Sequence, residues 1–289
     1  MITINTLLIL QKRITIKGDK MSRTRLKGQV AWISGGASGI GEATAKLFAL
    51  EGAKVAVVDV QAELGEAVAA QITQQGGQAI FIQCDVAQSK QVQRSIEQTV
   101  DHFGGLQNVV NSAGVVHVGA LHECSEQDWD ALMGVNLKSI FLAVKHGLPY
   151  LQQQPRSYVV NIASISGFVG QGQTPAYIAS KSGAIGLTRA IALDYAADGL
   201  RCNAVCPGIT DTPMLRYHLN TTPDPAATLA NRLRRVPMGV ALQPLDIAKA
   251  ALYFSCEDSA GITGTSLVVD AGYTTTAEWE TTGRTKFME

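Results

Sequence analysis

Tyr177 and Lys181 lie four residues apart in a stretch long enough to form a helix, so both side chains would share one helix face. A free phenol titrates near ~10, and a neighbouring ammonium favours the phenolate and lowers that pKa. The pair therefore predicts that Tyr177 acts as a general acid or base near neutral pH. Ser164 ends an apolar run thirteen residues earlier, where its hydroxyl could hold a substrate oxygen. Ordinary surface helices also show this spacing, so the interpretation needs a second signal.

A glycine-rich segment at 34–41 supplies that second signal. It follows the first apolar run and leads into an alanine-rich stretch, as in a strand–turn–helix unit that cradles the pyrophosphate of a dinucleotide. Asp59 lies eighteen residues after Gly41. This is near the ~20 residues expected for a carboxylate that binds the adenosine ribose hydroxyls. The segment predicts dinucleotide binding; the alternative is a tight turn with a capping Asp.

The neighbours of Asp59 indicate which dinucleotide is bound. A 2′-phosphate requires an Arg or Lys near this strand end or in the glycine loop. Here Asp59 is flanked by Val58, Val60 and Gln61, and the glycine loop offers no basic residue. A carboxylate without a basic neighbour repels the phosphate, so the sequence predicts NAD as the cofactor.

Positioning these groups requires a particular order of elements. Short apolar runs alternate with helix-length stretches, and this alternation predicts a Rossmann-type, doubly wound parallel sheet of about seven strands, with helices on both faces, in a single α/β domain. The predicted strands are 30–34, 54–59, 79–83, 108–111, 158–163, 201–205 and 266–270. Predicted helical stretches include 39–50, 61–75, 89–103, 125–151 and 176–197. The segment 212–237 contains four prolines and predicts an irregular excursion or lid.

Composition excludes several classes of protein. Lys+Arg and Asp+Glu both number 24, so the chain lacks the basic surface of a nucleic-acid binder and the charge that draws a protein to an anionic membrane. No apolar run approaches the ~20 residues of a membrane helix. Five cysteines without a C-x-x-C pair argue against a disulfide framework or a zinc ribbon and predict reduced thiols in the cytoplasm. The histidines show no metal-ligand spacing, so no metal site is predicted.

The two ends of the chain differ from the domain between them. Residues 1–20 precede Met21 and match no part of the strand–helix pattern, so they are interpreted as a leader or non-core extension that is dispensable for folding and turnover. The alternative is an extra edge strand, because Ile2, Ile4, Ile14 and Ile16 alternate with polar residues. Residues 21–273 form the predicted catalytic domain, and residues 274–289 form a C-terminal tail.

These motifs together resemble the short-chain dehydrogenase/reductase family in its short, single-domain form, over about residues 26–273. The family's motifs occur in order at 34–41 (T-G-x-x-x-G-x-G), 85–86 (D-V), 111–114 (N-N-A-G), 136 (the family's catalytic Asn), 164 (Ser), 177–181 (Y-x-x-x-K), 207–208 (P-G) and 262–272 (I-T-G and V-D-G-G). Two departures are mild: Ser34 replaces the first Thr, and Ser112 replaces the second Asn.

The resemblance implies hydride transfer between nicotinamide C4 and a carbinol or carbonyl carbon. It gives four residues catalytic roles: Ser164 orients the substrate oxygen, Tyr177 exchanges the proton, Lys181 lowers the tyrosine pKa and holds the nicotinamide ribose, and Asn136 anchors a water that links Lys181 to solvent. The family's cofactor contacts fall on Ser34, Gly35, Ser38, Gly39, Ile40, Gly41, Asp59, Val60, Asp85, Val86, Asn111, Ser112, Ala113, Gly114, Tyr177, Lys181, Pro207, Gly208, Ile209 and Thr212. The family pairs its helices at 125–151 and 176–197 across a two-fold axis, which implies a homotetramer.

The segments that would form the walls of the substrate pocket contain apolar residues and uncharged polar residues. They predict a small neutral carbinol such as a sugar, a polyol or a cyclic alcohol, with Arg216 the one residue placed to meet an anion. The basic run at 232–235 is interpreted as a solvated helix face or an interface. Two alternatives stay open: an NAD-binding redox sensor or scaffold with little turnover, and an epimerase or dehydratase, whose larger substrate domain would exceed the remaining chain.

Overall fold

The computed structural model describes residues 24–275, and within them the predicted fold class is confirmed. The strands are β1 (Val30–Ser34), β2 (Lys54–Asp59), β3 (Gln78–Gln83), β4 (Asn108–Asn111), β5 (Ser157–Ile162), β6 (Leu200–Pro207) and β7 (Ser266–Val269). They form one parallel sheet in the order β3-β2-β1-β4-β5-β6-β7. The strand order reverses between β1 and β4, and this is where doubly wound sheets bind their ligands.

Helices cover both faces of this sheet. Their bounds are α1 (Gly39–Leu50), α2 (Ala62–Gln74), α3 (Ser89–Phe103), α4 (Glu126–Met133), α5 (Ser139–Leu151), α6 (Pro175–Tyr195), α7 (Pro213–Asn220), α8 (Pro225–Leu233) and α9 (Pro244–Tyr253). The core on one face receives side chains from α1, α2 and α9, and the core on the other face receives them from α3, α5 and α6.

Successive side chains of each strand enter opposite cores, as the two-residue repeat of a strand requires. In β1, Trp32 belongs to the α3–α5–α6 core, whereas Ala31 and Ile33 belong to the α1–α2–α9 core. All five residues of β1 are buried. Burial on both faces explains why the strands form nearly continuous apolar runs in the sequence.

Two segments differ from the prediction. The stretch 125–151 is interrupted by a π-helical turn at Gly134–Lys138, which separates α4 from α5 and buries Asn136. The segment 212–237, predicted to be irregular, instead contains α7 and α8. Each of these helices begins with a proline just after a capping side chain: Thr212 accepts from the backbone N–H of Leu215, and Asp224 from that of Ala227. Proline is favoured at this first helical position, so these prolines start helices rather than break them.

The interpretation of residues 1–20 as a leader, the alternative edge strand and the tail beyond Thr275 lie outside the described residues. Within residues 24–275, no helix combines the length and apolar character needed to cross a membrane. The same range holds no group of three or more His, Cys, Asp or Glu side chains arranged to bind a metal ion. All five cysteines are free thiols.

Candidate active site

A single cleft of about 640 Å³ lies along the carboxyl ends of the strands. Most of the residues predicted from the sequence line it, and these are Gly35, Ser38, Gly39, Ile40, Gly41, Asp59, Val60, Asp85, Val86, Ser112, Ala113, Gly114, Ser164, Tyr177, Lys181, Pro207, Gly208, Ile209 and Thr212. Three predicted residues, Ser34, Asn111 and Asn136, lie behind this lining. The topology therefore brings the predicted cofactor and catalytic groups to one edge of the sheet.

The glycine loop fits the pyrophosphate of a dinucleotide. A Cβ on Gly35, whose φ is 65°, would lie 2.7 Å from the backbone nitrogen of Ala113, so the loop approaches β4 as closely as only glycine allows. A Cβ on Gly41 would overlap the carbonyl of Gly35. Ser38, at the N-cap of α1, makes no side-chain hydrogen bond to the first turn of the helix. That turn lines the cleft and presents backbone N–H groups suited to an anion.

Ser34 and Asn111 support the loop from below. Ser34 Oγ accepts from the backbone nitrogens of Ser112 and Ala113, at 3.1 and 3.3 Å, so the hydroxyl joins β1 to the segment after β4. Asn111 Nδ2 donates to Asn161 Oδ1 at 2.8 Å, which ties β4 to β5. These contacts give both residues structural roles beneath the cleft.

Asp59 closes the other side of the glycine loop. Its Oδ2 accepts from the Ala37 backbone nitrogen at 3.1 Å, and its Oδ1 accepts from that of Gln61 at 3.1 Å. None of the ion pairs formed between residues 24 and 275 involves this carboxylate. Asp59 thus brings an uncompensated negative charge to the cleft where the prediction places the adenosine ribose.

The reacting groups come from β5 and α6. Ser164 lies just after β5, and its Oγ accepts from the Ser166 backbone nitrogen at 3.1 Å. Tyr177 is half-buried and Lys181 is buried, one turn apart at the start of α6. Lys181 Nζ donates to the carbonyl of Ile162 at 2.8 Å and lies 5.6 Å from the centroid of the Tyr177 ring. Serine, phenol and ammonium therefore line one side of the cleft.

Burial changes the acidity of both groups on α6. It raises the pKa of Tyr177, an effect that the Ser164 hydroxyl partly offsets. It lowers the pKa of Lys181 to about 8. The removal of water has a larger effect on the Tyr177 pKa than the neighbouring Lys181 ammonium, which is directed at the Ile162 carbonyl.

Asn136 holds the segment after β4 in place. Its Oδ1 accepts from the Val115 backbone nitrogen at 2.8 Å, and its Nδ2 donates to the Val115 carbonyl and to Ser180 Oγ. Ser180 in turn donates to the carbonyl of Tyr177 at 2.7 Å. The side chain therefore links three parts of the site: the π-helical turn, the wall at Gly114 and Val115, and the first turns of α6.

Sequence comparison identifies the family to which this arrangement belongs. A family model described as Enoyl-(Acyl carrier protein) reductase matches residues 35–274, which is most of the chain. The chain belongs to the short-chain dehydrogenase/reductase family. Residues 35–274 span the sheet from the glycine loop through β7, so the match covers the whole cleft.

Individual members of the short-chain dehydrogenase/reductase family are similar over nearly their full length. A 2,5-dichloro-2,5-cyclohexadiene-1,4-diol dehydrogenase of Sphingobium indicum is 37% identical over 86% of this chain and 97% of its own length. The 2-(S)-hydroxypropyl-CoM dehydrogenase 3 of Xanthobacter autotrophicus is 37% identical over 86% and 98%. The crystal structure of levodione reductase has a TM-score of 0.85 and 29% identity, over 88% of this chain and all of that chain. The protein is therefore an oxidoreductase of alcohol or ketone substrates, in a family that uses a nicotinamide cofactor.

The far wall of this short-chain dehydrogenase/reductase cleft contains residues that sequence reasoning misassigned. Arg216, predicted to be the residue that could meet an anion, is exposed and pairs with Asp211 at 3.0 Å. Arg232, predicted to lie on a solvated helix face or at an interface, is half-buried, lines the cleft and contacts His218. The sequence holds no local signal for this role of Arg232, because its contact with His218 depends on how α8 packs against α7.

Proposed function

We propose that this protein is an NAD-dependent dehydrogenase that transfers a hydride between nicotinamide and the carbinol carbon of a secondary alcohol, with Tyr177 as the general base and acid. The observation that supports this most strongly is that Ser164, Tyr177 and Lys181 line the same cleft as the glycine loop and Asp59. A catalytic proton acceptor and a dinucleotide cradle thus share one cavity. In the proposed direction of oxidation, the alcohol loses its proton to the protein and its hydride to the cofactor.

The nicotinamide, when bound, supplies the hydride acceptor. Ser164 holds the substrate hydroxyl by hydrogen bonding, and the phenol oxygen of Tyr177 receives its proton. Lys181 places a positive charge 5.6 Å from the Tyr177 ring, which would favour the phenolate, and the N–H bonds that its contact with Ile162 leaves free would hold the nicotinamide ribose. Asn136 acts as a positioning residue, because its side-chain partners are Val115 and Ser180.

NAD is proposed over NADP because of the charge at Asp59. The carboxylate has no cationic partner among residues 24–275, and its two oxygens are held in place by the backbone of Ala37 and Gln61. It cannot move away from a phosphate without breaking those hydrogen bonds. Placing a 2′-phosphate beside it would bring two like charges together at a considerable cost in binding free energy.

The proposed substrate is a small ring alcohol or a polyol. Ser166 Oγ donates to Gln171 Oε1 at 3.1 Å, which directs a neutral polar pair into the cleft near Ser164. Val115, Val116 and Ile165 add apolar walls. Hydroxyl-bonding groups beside apolar surface suit a carbon ring that carries a second oxygen, and the relative from Sphingobium indicum is named for such a diol.

A homotetramer is proposed from the surfaces of α5 and α6. Phe141 of α5 is 49% exposed and Leu193 of α6 is 82% exposed, which is costly for an apolar side chain in water. These helices are the ones expected to pair across a two-fold axis. Light scattering of the wild type should give four times the chain mass, and Leu193→Glu should reduce it; a monomeric wild type at micromolar concentration would refute the assembly.

An absorbance assay tests the proposed reaction. The wild type is mixed with NAD, and separately with NADP, and each mixture receives secondary alcohols: cyclohexanol, cis-1,2-cyclohexanediol and sorbitol. Formation of reduced nicotinamide with NAD and its loss in Ser164→Ala are expected. Tight NAD binding with no turnover of any alcohol, or of the matching ketones with NADH, would instead favour the sensor or scaffold.

A further inference from the structure

The α7–α8 segment, residues 212–237, lies over the reacting end of the cleft. Met214 Cε lies 3.6 Å from the position that a Cβ on Gly114 would occupy, and Asn136 Oδ1 and Lys181 Nζ lie at the same distance from that point. Met214 therefore sits beside the reacting groups. His218 follows four residues later on the same face of α7, about 6 Å farther along the helix axis.

Around His218 the wall of the cleft is basic. Arg232 of α8 approaches His218, with Nη2 3.2 Å from Nε2. A guanidinium has only donors, so His218 accepts at Nε2 and carries its hydrogen at Nδ1. Burial and the charge of Arg232 lower the pKa of His218, which keeps the imidazole neutral at neutral pH. Among residues 24–275, Arg232 forms no ion pair with a carboxylate, so its remaining donors and its charge are available.

The charges of the cleft are separated along the sheet. Its lining carboxylates, Asp59 and Asp85, follow β2 and β3, whereas its lining cations are Lys181 and Arg232. The α7–α8 segment follows β6, which is four strands from β2, or about 19 Å at the usual strand spacing. Since Lys181 is assigned to Tyr177 and the nicotinamide ribose, Arg232 is the lining cation left for the substrate end of the cleft.

We propose that Arg232, supported by His218, forms a subsite for a carboxylate carried by the substrate, one helical turn away from the carbon that reacts. The guanidinium would bind the carboxylate through two parallel N–H···O bonds, the geometry for which arginine is suited. This inference rests on the proposed function: it keeps the reacting carbinol but adds a carboxylate, so the substrate becomes a hydroxy acid of modest length in place of a neutral alcohol. It also makes Arg232, rather than Arg216, the residue that determines specificity.

Binding without turnover gives the first test. Thermal melting is measured with NAD present, with cyclohexanecarboxylate or with its neutral match, cyclohexanecarboxamide. The wild type should gain more stability from the carboxylate. Arg232→Gln should lose that difference, Arg232→Lys should keep part of it, and Arg216→Gln, the matched control on α7, should keep all of it. The proposal would be overturned if the carboxylate and the carboxamide shifted the melting temperature of the wild type equally, or if Arg216→Gln lost the difference between them.

Turnover gives the second test. The probes are cis-4-hydroxycyclohexanecarboxylate and its methyl ester. Arg232→Gln should lower kcat/KM for the acid by about 10–100-fold, the usual effect of losing a hydrogen-bonded charge partner, with the ester little changed. The KM for NAD should stay the same. A raised KM for NAD with unchanged discrimination between acid and ester would mean that Arg232 contacts a cofactor phosphate, and would overturn the proposal.

The two measurements also separate this inference from the proposed reaction. If no alcohol is oxidised while the carboxylate-specific melting shift is present and disappears in Arg232→Gln, the reaction is wrong and the subsite stands. If alcohols are oxidised but acid and ester are treated alike by every variant, the reaction stands and the subsite is wrong.

Discussion

The two walls of the cleft are held in different ways. The wall formed by the strand ends carries Asp59, Ser164 and Lys181, each fixed by a hydrogen bond to backbone next to or within a buried strand. The opposite wall, α7 and α8, buries only Leu219 from α7 and no residue from α8. Ser164 and Lys181 are therefore tied to backbone at or just after the buried strand β5, whereas the cleft-facing groups of α7 and α8 lie on helices that bury almost no residues. Changes in the first wall should affect catalysis, and changes in the second should affect substrate choice.

The largest effects on the wall formed by the strand ends are expected from substituting Lys181. Lys181→Met removes the cation beside Tyr177, so turnover should fall by at least about 10²-fold, the lower range for lost acid–base catalysis. The variant should also be more stable at pH 7, by about 1–2 kcal/mol after the lost hydrogen bond to Ile162 is counted, because a buried charge has been removed. Steady-state kinetics and urea unfolding measure the two effects.

The stability gain in Lys181→Met should depend on pH with a defined sign. Burial lowers the lysine pKa from 10.5 to about 8. Below pH 8 the lysine is therefore charged in both the folded and the unfolded wild type, and folding carries the full cost of burying that charge. From pH 8 to 10.5 the folded state loses its proton first, and the cost disappears. The variant's advantage in unfolding free energy should shrink between pH 7 and pH 10. An advantage that is constant with pH would mean that the charge at Lys181 is not its source.

Substituting Asp59 tests how the wall formed by the strand ends selects the cofactor. Asp59→Asn keeps the shape and one acceptor oxygen for the glycine loop but removes the charge, so the preference for NAD over NADP should narrow by about 10-fold. Asp101→Asn, which removes an exposed carboxylate of α3 outside the cleft, is the control and should leave this preference unchanged. The measurement is the ratio of kcat/KM with NAD to kcat/KM with NADP, determined for the wild type and for each variant. Equal use of NAD and NADP by the wild type would contradict the role of Asp59.

Substitutions in the wall formed by α7 and α8 should have smaller effects, and these should appear in the KM for the alcohol and not in kcat. Met214→Ala removes the side chain that packs over Gly114, while its neighbours on the strand ends keep their hydrogen bonds. The KM for the alcohol should rise several-fold, with kcat and the KM for NAD changing by less than about 3-fold. A large fall in kcat with an unchanged KM would show that this wall, too, positions the reacting groups.

The same difference between the walls explains what the sequence could predict. Strands buried on both faces, the glycine loop and the Tyr177–Lys181 pair left strong local patterns, and the fold follows from them. Helices α7 and α8 are short, bury almost no residues and each begin with a proline, which in the sequence is also a signal for a turn. Arg232 was misassigned because its direction toward the cleft depends on how α8 packs against α7, which only the structure shows. The π-helical turn around Asn136 likewise depends on tertiary contacts with Val115 and Ser180.

The most direct test of the account is Tyr177→Phe, measured for NAD binding and for alcohol oxidation on the same sample. The substitution removes one oxygen and leaves the ring, the fold and the glycine loop in place. We expect an NAD dissociation constant within about 3-fold of the wild type and a kcat lower by about 10²–10⁴-fold, the range that general acid–base catalysis supplies. Oxidation by Tyr177→Phe at near the wild-type rate, with binding intact, would show that another group takes the proton and would contradict the central claim.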